Sequence, residues 1–227
     1  MQKTMQPKMR AMILAAGRGE RLKPLTDVTP KPMLTVRGRP LLAHQLDWLT
    51  AAGITEVVIN LHHLGEQIEN CFADGAANGI HIRYSREAEP LETGGGIVKA
   101  LPLLGSDPFL IINGDIYTDF PLTELVALPA WADMHLLLTP TPAFREHGDF
   151  DYADGKVTGR GDGYVYCGIA IMRPELFRDR PVARFSIQGM LFDAAANGRL
   201  SAQVWQGYWT DIGSEDQLNA VNESGKT

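Results

Sequence analysis

Stretches that are apolar from end to end, rather than alternating, set the strongest limit on what this chain can fold into. AMILAA (residues 11–16), EVVIN (56–60) and FLIIN (109–113) offer water no polar side, so each reads as a strand covered on both faces. Helical patterns lie between them. Pro40 to Ala52 carries apolar Leu41, Leu42, Leu46 and Leu49 and stops at Gly53; Leu64 to Phe72 and Gly95 to Leu104 follow, with IHIRYS (80–85) as a further strand. Repeated β-α-β predicts an α/β fold, a mostly parallel sheet with helices on both faces, and a ligand site beyond the carboxyl ends of the strands.

After about Pro140 the texture changes. GDFDY, KVTGR and GYVYCGIAIMRP read as shorter β segments broken by Gly and Asp turns, followed by a helix over Ile187 to Asn197. This part is expected to form a lobe that closes over the site. WTDIGSEDQL then gives a strand end and a helix with Ser214 as N-cap and Glu215 and Asp216 in its first turn. Residues 1–10 lack periodicity and are expected to be a disordered leader. The remainder, 11–227, reads as a single domain of two halves, 11–140 and 141–227.

Composition narrows the function. A net charge of −6 over 227 residues argues against a wide basic face for nucleic acid. No apolar run approaches the ~20 residues that span a bilayer, so no membrane partner is expected. Cys71 and Cys167 stand far apart and outside any CxxC pair, which favours a reducing, cytoplasmic setting over a disulfide framework.

Directly after the first strand comes LAAGRGERL, with Gly17 and Gly19 where the backbone turns sharply and exposed amides can cradle phosphate. The loop is neither a Walker sequence nor GxGxxG, because Leu22 holds the third glycine's place. Its cations are more telling than its glycines. Arg18, Arg21, Lys23 and Lys31 stand against only Glu20 and Asp27, in a segment stiffened by Pro24, Pro30 and Pro32. A long, mobile, cationic loop suits a triphosphate better than a dinucleotide, whose pyrophosphate a helix N-terminus holds alone. An NAD enzyme would also want an acid ~20 residues beyond the glycines, where VRGRPLL stands instead.

LAAGRGERLKPLT…TPKPMLTV, EPLETGGG, the NGD of Asn113 to Asp115 and the WTDIG of Trp209 to Gly213 occur in the order of four motifs of the sugar-1-phosphate nucleotidyltransferases. The chain resembles that family from about Met12 onward. Through its length and the ETGGG stretch it is most similar to the uridylyltransferases that act on N-acetylmuramic acid 1-phosphate in cell-wall sugar recycling. The resemblance implies a glycosyltransferase-A-like fold, Rossmann-like and three-layered with a mixed sheet and a small β-rich sugar-binding lobe. It implies UTP and a sugar 1-phosphate as partners, Mg²⁺ as cofactor, and a monomer or small homo-oligomer. Leu14, Ala16 and Gly17 would hold the base and ribose; Gly19, Glu20 and Arg21 would lie along the triphosphate. Lys31 would touch the α-phosphate, and Glu89 and Gly94 the base edge. Asn113, Gly148 and Gly168 would serve the sugar phosphate. Asp115 and Asp211 would hold the metal, with Arg21, Lys31 and Asp115 as the catalytic set. Two departures stand out: Glu92, Thr93, Gly94 where many relatives carry Gly-Thr-Ala, and a short TGRGDG in place of a Glu-Lys-Pro segment.

These residue types suit such chemistry. A phosphate monoester loses its second proton near pH ~6, so the sugar phosphate needs no strong base at neutral pH. The obstacle is repulsion between two anions, which fixed cations and a metal offset. The same reaction on glucose, mannose or heptose 1-phosphate with another nucleotide, and a nucleotide-sugar sensor without turnover, are the alternatives. His62 and His63, adjacent rather than at metal-pair spacing, read as strand-end polar residues; Trp205, Tyr208, Trp209 and Cys167 read as core.

Overall fold

The structure, a computed structural model, describes residues 9–223. Most of the leader expected over residues 1–10 lies outside the described residues, but Arg10 opens β1 (Arg10–Leu14). Its guanidinium donates to Leu104 O at 3.0 Å, which anchors the start of the strand. The apolar run behaves as its composition demands: Ala11 and Ile13 enter one core and Met12 the other, all fully buried.

The glycine loop contains the short helix α1 (Leu25–Val28), and a ribbon of β2 (Thr35–Val36) and β3 (Arg39–Pro40) leads into α2 (Leu41–Ala51). The loop expected to be long and mobile is folded into successive helical turns. Gly53, at φ 77°, follows the end of α2. β4 (Glu56–Leu61), α3 (Gly65–Phe72) and β5 (His81–Arg86) continue the alternation.

α4 (Glu92–Leu104) begins three residues earlier than the sequence pattern placed it, so Glu92, Thr93 and Gly94 form its first turn. Three consecutive glycines have poor helix propensity, but tertiary packing requires each of them here. β6 (Phe109–Asn113), β7 (Ile116–Thr118), β8 (Met134–Pro140) and β9 (Phe150–Ala153) follow.

β10 (Lys156–Met172) is one 17-residue strand where two segments, KVTGR and GYVYCGIAIMRP, with a Gly and Asp turn between them were expected. Register shifts against β9, on either side of Gly159, absorb the glycines as bulges rather than as a turn. α5 (Gln188–Ala196), β11 (Leu200–Val204), β12 (Trp209–Asp211) and α6 (Glu215–Glu223) complete the chain.

The main sheet runs β11-β8-β10-β6-β1-β4-β5, with β9 on β10. β6, β1, β4 and β5 are parallel neighbours, and β10 enters antiparallel between β6 and β8. α2 and α3 cover one face, α4 and α5 the other, giving the three-layer α/β/α mixed sheet. The β-rich extension is the hairpin of β9 and the start of β10; the rest of β10 and β11 belong to the common sheet, so the two expected halves share one core over the described residues.

A third, small cluster joins Leu22 and Leu34 of the glycine loop to Ile212, Leu218 and Val221 near the end of the chain. Ser214 caps α6 as expected: Gln217 N donates to Ser214 Oγ at 3.3 Å, while Gln217 Oε1 accepts from Gly213 N at 3.0 Å. Among the described residues no helix is long and apolar enough to cross a membrane.

His135 on β8 is buried against Ser201 and Gln203 of β11, and its desolvation lowers its pKa. The folded chain therefore favours the neutral ring, and that stability is present above the unfolded value of ~6.5 and lost as pH falls below it. Urea midpoints should drop between about pH 7 and pH 5, and less so in His135→Gln, which removes the titrating ring.

Candidate active site

The site starts from strand register. Leu14 at the end of β1 lies level with Asn60 of β4 on one side and Asn113 of β6 on the other. Three strand ends thus stop at one height, where the chain turns outward. A cavity of about 480 Å³ opens there, walled by Leu14 to Glu20, Lys31, Asn60, Glu87, Pro90 to Thr93, Asn113 to Asp115 and Arg184.

The glycine loop is held by its own backbone and by its neighbours. Gly19 has φ 66°, and a β-carbon there would lie 2.8 Å from Thr26 Cγ2. Thr26 Oγ1 donates to Gly19 O at 2.9 Å, and Thr26 O meets His63 Nε2 at 2.8 Å. His62 contacts Glu87 O through Nδ1, so both histidines serve as strand-end tethers. Arg18 and Glu20 line the cavity, whereas the guanidinium of Arg21 lies beside Gly213 and outside the cavity walls.

Lys31 Nζ is 2.5 Å from Asp115 Oδ2, the two side chains being only 14% and 27% exposed. The turn that carries Asp115 is fixed from below. Gln45 of α2 donates through Nε2 to Asn113 O and Ile116 O, each at 3.0 Å. A β-carbon on Gly114 would be 2.4 Å from Leu14 O, so the turn can press against β1 only with glycine there. Gly168, at φ 73° in the bulge of β10, would as alanine strike the Asn113 side chain at 2.8 Å; it shapes the pocket through Asn113.

Asp211 comes alongside through the β7–β12 ribbon. It pairs with Ile116, and Ile212 N donates to Asp115 O at 2.7 Å. Its carboxylate accepts from Gln217 Nε2 at 2.7 Å and faces Arg145 at 3.4 Å. Each aspartate thus has its own cation, and the ribbon makes their backbones neighbours. Among the described residues no three His, Cys, Asp or Glu cluster as a metal cage. Two carboxylates are nevertheless enough for a Mg²⁺ that takes its remaining oxygens from phosphate and water.

Four sequence-derived positions fall outside the cavity walls besides Arg21 and Asp211. Gly168 acts as described, and Gly148 packs against Asp162 O, 2.7 Å from where its β-carbon would be. Gly94 lies under the Phe185 ring. Glu89 is exposed, and Glu87, two residues earlier, takes the place in the wall. Glu87 is buried; its carboxylate accepts from Asn60 Nδ2 at 2.7 Å and Leu91 N at 3.1 Å, while Asn60 Oδ1 accepts from Ala15 N at 2.8 Å. This chain of bonds ties the end of β1 to the start of α4. Sequence reasoning missed Asn60, Glu87, Gln45 and Arg184; the polar residue ending the apolar EVVIN run was the one local signal for Asn60.

The ETGGG stretch is explained by contacts. β-Carbons at Gly94, Gly95 and Gly96 would collide with the Phe185 ring, Ala183 O and Glu87 Oε1, at 2.1, 2.0 and 2.8 Å respectively. Glu92 itself sits at φ 57°, a left-handed conformation that costs a non-glycine roughly 1–2 kcal/mol.

Residues 10–146 match the nucleotidyl transferase family. The chain belongs to that family. It is 44% identical over 220 residues to the N-acetylmuramate alpha-1-phosphate uridylyltransferase of Neisseria meningitidis, covering 92% of this chain and 95% of the relative. The protein of the same description from Caulobacter vibrioides is 36% identical, covering 89% and 91%. Among solved structures, HddC from Yersinia pseudotuberculosis complexed with GMP-PN superposes with a TM-score of 0.82 at 25% identity, over 96% of this chain and all of that one. In this nucleotidyltransferase Trp209 is core as expected, its Nε1 donating to Cys167 O at 2.9 Å, and burial pushes the Cys167 thiol well above its ordinary pKa; Trp205 is only partly buried and Tyr208 is exposed, against the core reading, because it lies in the turn before β12.

Two glycine substitutions separate packing at the site from helix propensity. Gly96→Ala, which thrusts a methyl at the Glu87–Asn60 pair, should cost about 1–3 kcal/mol in urea unfolding. Gly189→Ala in α5, where nothing lies within 4 Å, should stabilise by roughly 0.5–1 kcal/mol in the same assay.

Proposed function

We propose that this chain joins UMP from UTP to a sugar 1-phosphate, N-acetylmuramic acid 1-phosphate, and releases pyrophosphate. The observation that carries this reading is the Lys31–Asp115 pair, at 2.5 Å, in the wall of a cavity that the turn of Gly17 and Gly19 also lines. The 44% identity to the Neisseria uridylyltransferase supports the choice of nucleotide and sugar.

In this reading the amides of Gly17 and Gly19 cradle the triphosphate, and Arg18 and Lys31 offset its charge. Asn113, at the end of β6 and braced by Gly168, faces the incoming sugar phosphate. Lys31 lies between the two anions and lowers the repulsion that opposes in-line attack at the α-phosphorus. The dianionic phosphate supplies its own nucleophilic oxygen, which agrees with the absence of a required general base. Asp115 and Asp211 would hold Mg²⁺, which supplies further neutralisation of the α-phosphate and the departing pyrophosphate. Arg21, beside Gly213, would contribute from the α6 side. The need for UTP and the two free cysteines fit a cytoplasmic enzyme.

A panel crossing UTP, CTP, GTP, ATP and dTTP with N-acetylmuramic acid, glucose and mannose 1-phosphates, read by pyrophosphate release, tests the reading. The largest kcat/KM should fall on UTP with N-acetylmuramic acid 1-phosphate, and silence throughout would exclude it. Asp115→Asn should lower kcat by roughly a hundredfold or more while nucleotide affinity changes far less. Retention of full turnover would remove Asp115 from the metal site.

A further inference from the structure

The cavity has walls of two characters. Beside the glycine loop stand the exposed turn amides with Arg18 and Lys31, each near an acid, Glu20 and Asp115; at the start of α4 stand the carboxylates of Glu87 and Glu92. Arg184 joins this second wall from the segment between β10 and α5, far away in sequence.

Considerable structure is devoted to holding it there. Phe185 N donates to Leu91 O at 3.2 Å and Gly94 N donates to Phe185 O at 2.9 Å, which lays the segment along the first turn of α4. Gly94 and Gly95 clear the space for the Phe185 ring and Ala183 O. Arg184 Nε donates to Glu92 Oε1 at 2.9 Å, from the one α4 residue held in the left-handed region. The side chains are 71% and 40% exposed, and a pair that open to water adds little stability. A strained glutamate is poorly explained as a stabilising device. It is well explained as a means of aiming a guanidinium across the cavity.

We propose that Arg184 is a nucleotide-specificity residue: its guanidinium faces the nucleobase of the bound triphosphate, and Glu92 is the positioning residue that orients it. This rests on the nucleotidyl-transfer reading above. The triphosphate belongs to the other wall, where the glycine-loop amides gather with two cations, Arg18 and Lys31, whereas at the start of α4 Arg184 stands with two carboxylates, Glu87 and Glu92. With Nε tied to Glu92, the terminal nitrogens of Arg184 are left to face a ligand. A guanidinium only donates, so it favours a base that presents a keto oxygen over one that presents an amino group at the same place. Uracil meets this demand and cytosine, with an exocyclic amine in place of the 4-keto group, does not.

The test uses the full chain and two variants, Arg184→Ala and Glu92→Gly. Steady-state assays compare UTP with CTP, and calorimetry measures binding of UTP, UMP and inorganic pyrophosphate. Arg184→Ala should raise KM for UTP by about tenfold or more, narrow the preference for UTP over CTP, and leave KM for the sugar phosphate unchanged. UMP and UTP should weaken by the same factor, with pyrophosphate unaffected. Glu92→Gly, relieved of its backbone strain, should melt no lower than the parent yet show the nucleotide defect in reduced measure. An unchanged KM for UTP, equal losses for UTP and CTP, or a defect confined to the sugar phosphate would each overturn the assignment. Failure of the parent chain to turn over any nucleotide would instead defeat the nucleotidyl-transfer reading, and the UMP calorimetry would still report on Arg184.

Discussion

The parallel pairing of β1 with β4 and β6 is the constraint on which the site rests. It sets Leu14, Asn60 and Asn113 level, and the glycine loop, Asn60 and the turn of Asn113 to Asp115 reach the cavity from those three ends, with Glu87 and the start of α4 joining from β5. A slip of one residue would exchange the faces of Ala11, Met12 and Ile13 between the two cores, so the pairing is enforced by burial on both sides. Chemistry at the rim is thereby tied to hydrophobic packing in the middle of the sheet.

Charge at the rim is balanced locally. Lys31 faces Asp115, Arg145 faces Asp211 and Arg184 faces Glu92, so a chain of net charge −6 presents a site in which these three acids each have a nearby cation, while Glu87 is held by neutral donors. Such pairs shield one another until a ligand offers a better partner. The arrangement keeps two aspartates close in the backbone without leaving both carboxylates uncompensated.

What could be read from sequence was what is local. The apolar runs of β1, β4 and β6 announced themselves, and Asp115, directly after FLIIN, could be placed at a strand end from the sequence alone. Ser214 was legible because capping involves only its next few neighbours. Glu87 was missed in favour of Glu89 because both lie in the irregular stretch between β5 and α4, where no periodicity assigns a side, and the bond to Asn60, 27 residues away, is what draws Glu87 inward. Arg184 carried no local signal at all, since its place depends on contacts with α4 some 90 residues earlier. The glycines at 94–96 argued against a helix by propensity, and the reason they are tolerated lies in Phe185, Ala183 and Glu87.

The small cluster that joins Leu22 and Leu34 to Ile212, Leu218 and Val221 brings the glycine loop and the last described helix together. During synthesis the first of these residues leave the ribosome long before the last, and chains fold as they emerge. The strand and helix core of the first half can pack early, but the loop proposed to receive phosphate loses an apolar backing until α6 arrives. Loop and final described helix thus act as one unit, so any event that frees α6 also loosens the surface on which phosphate would sit.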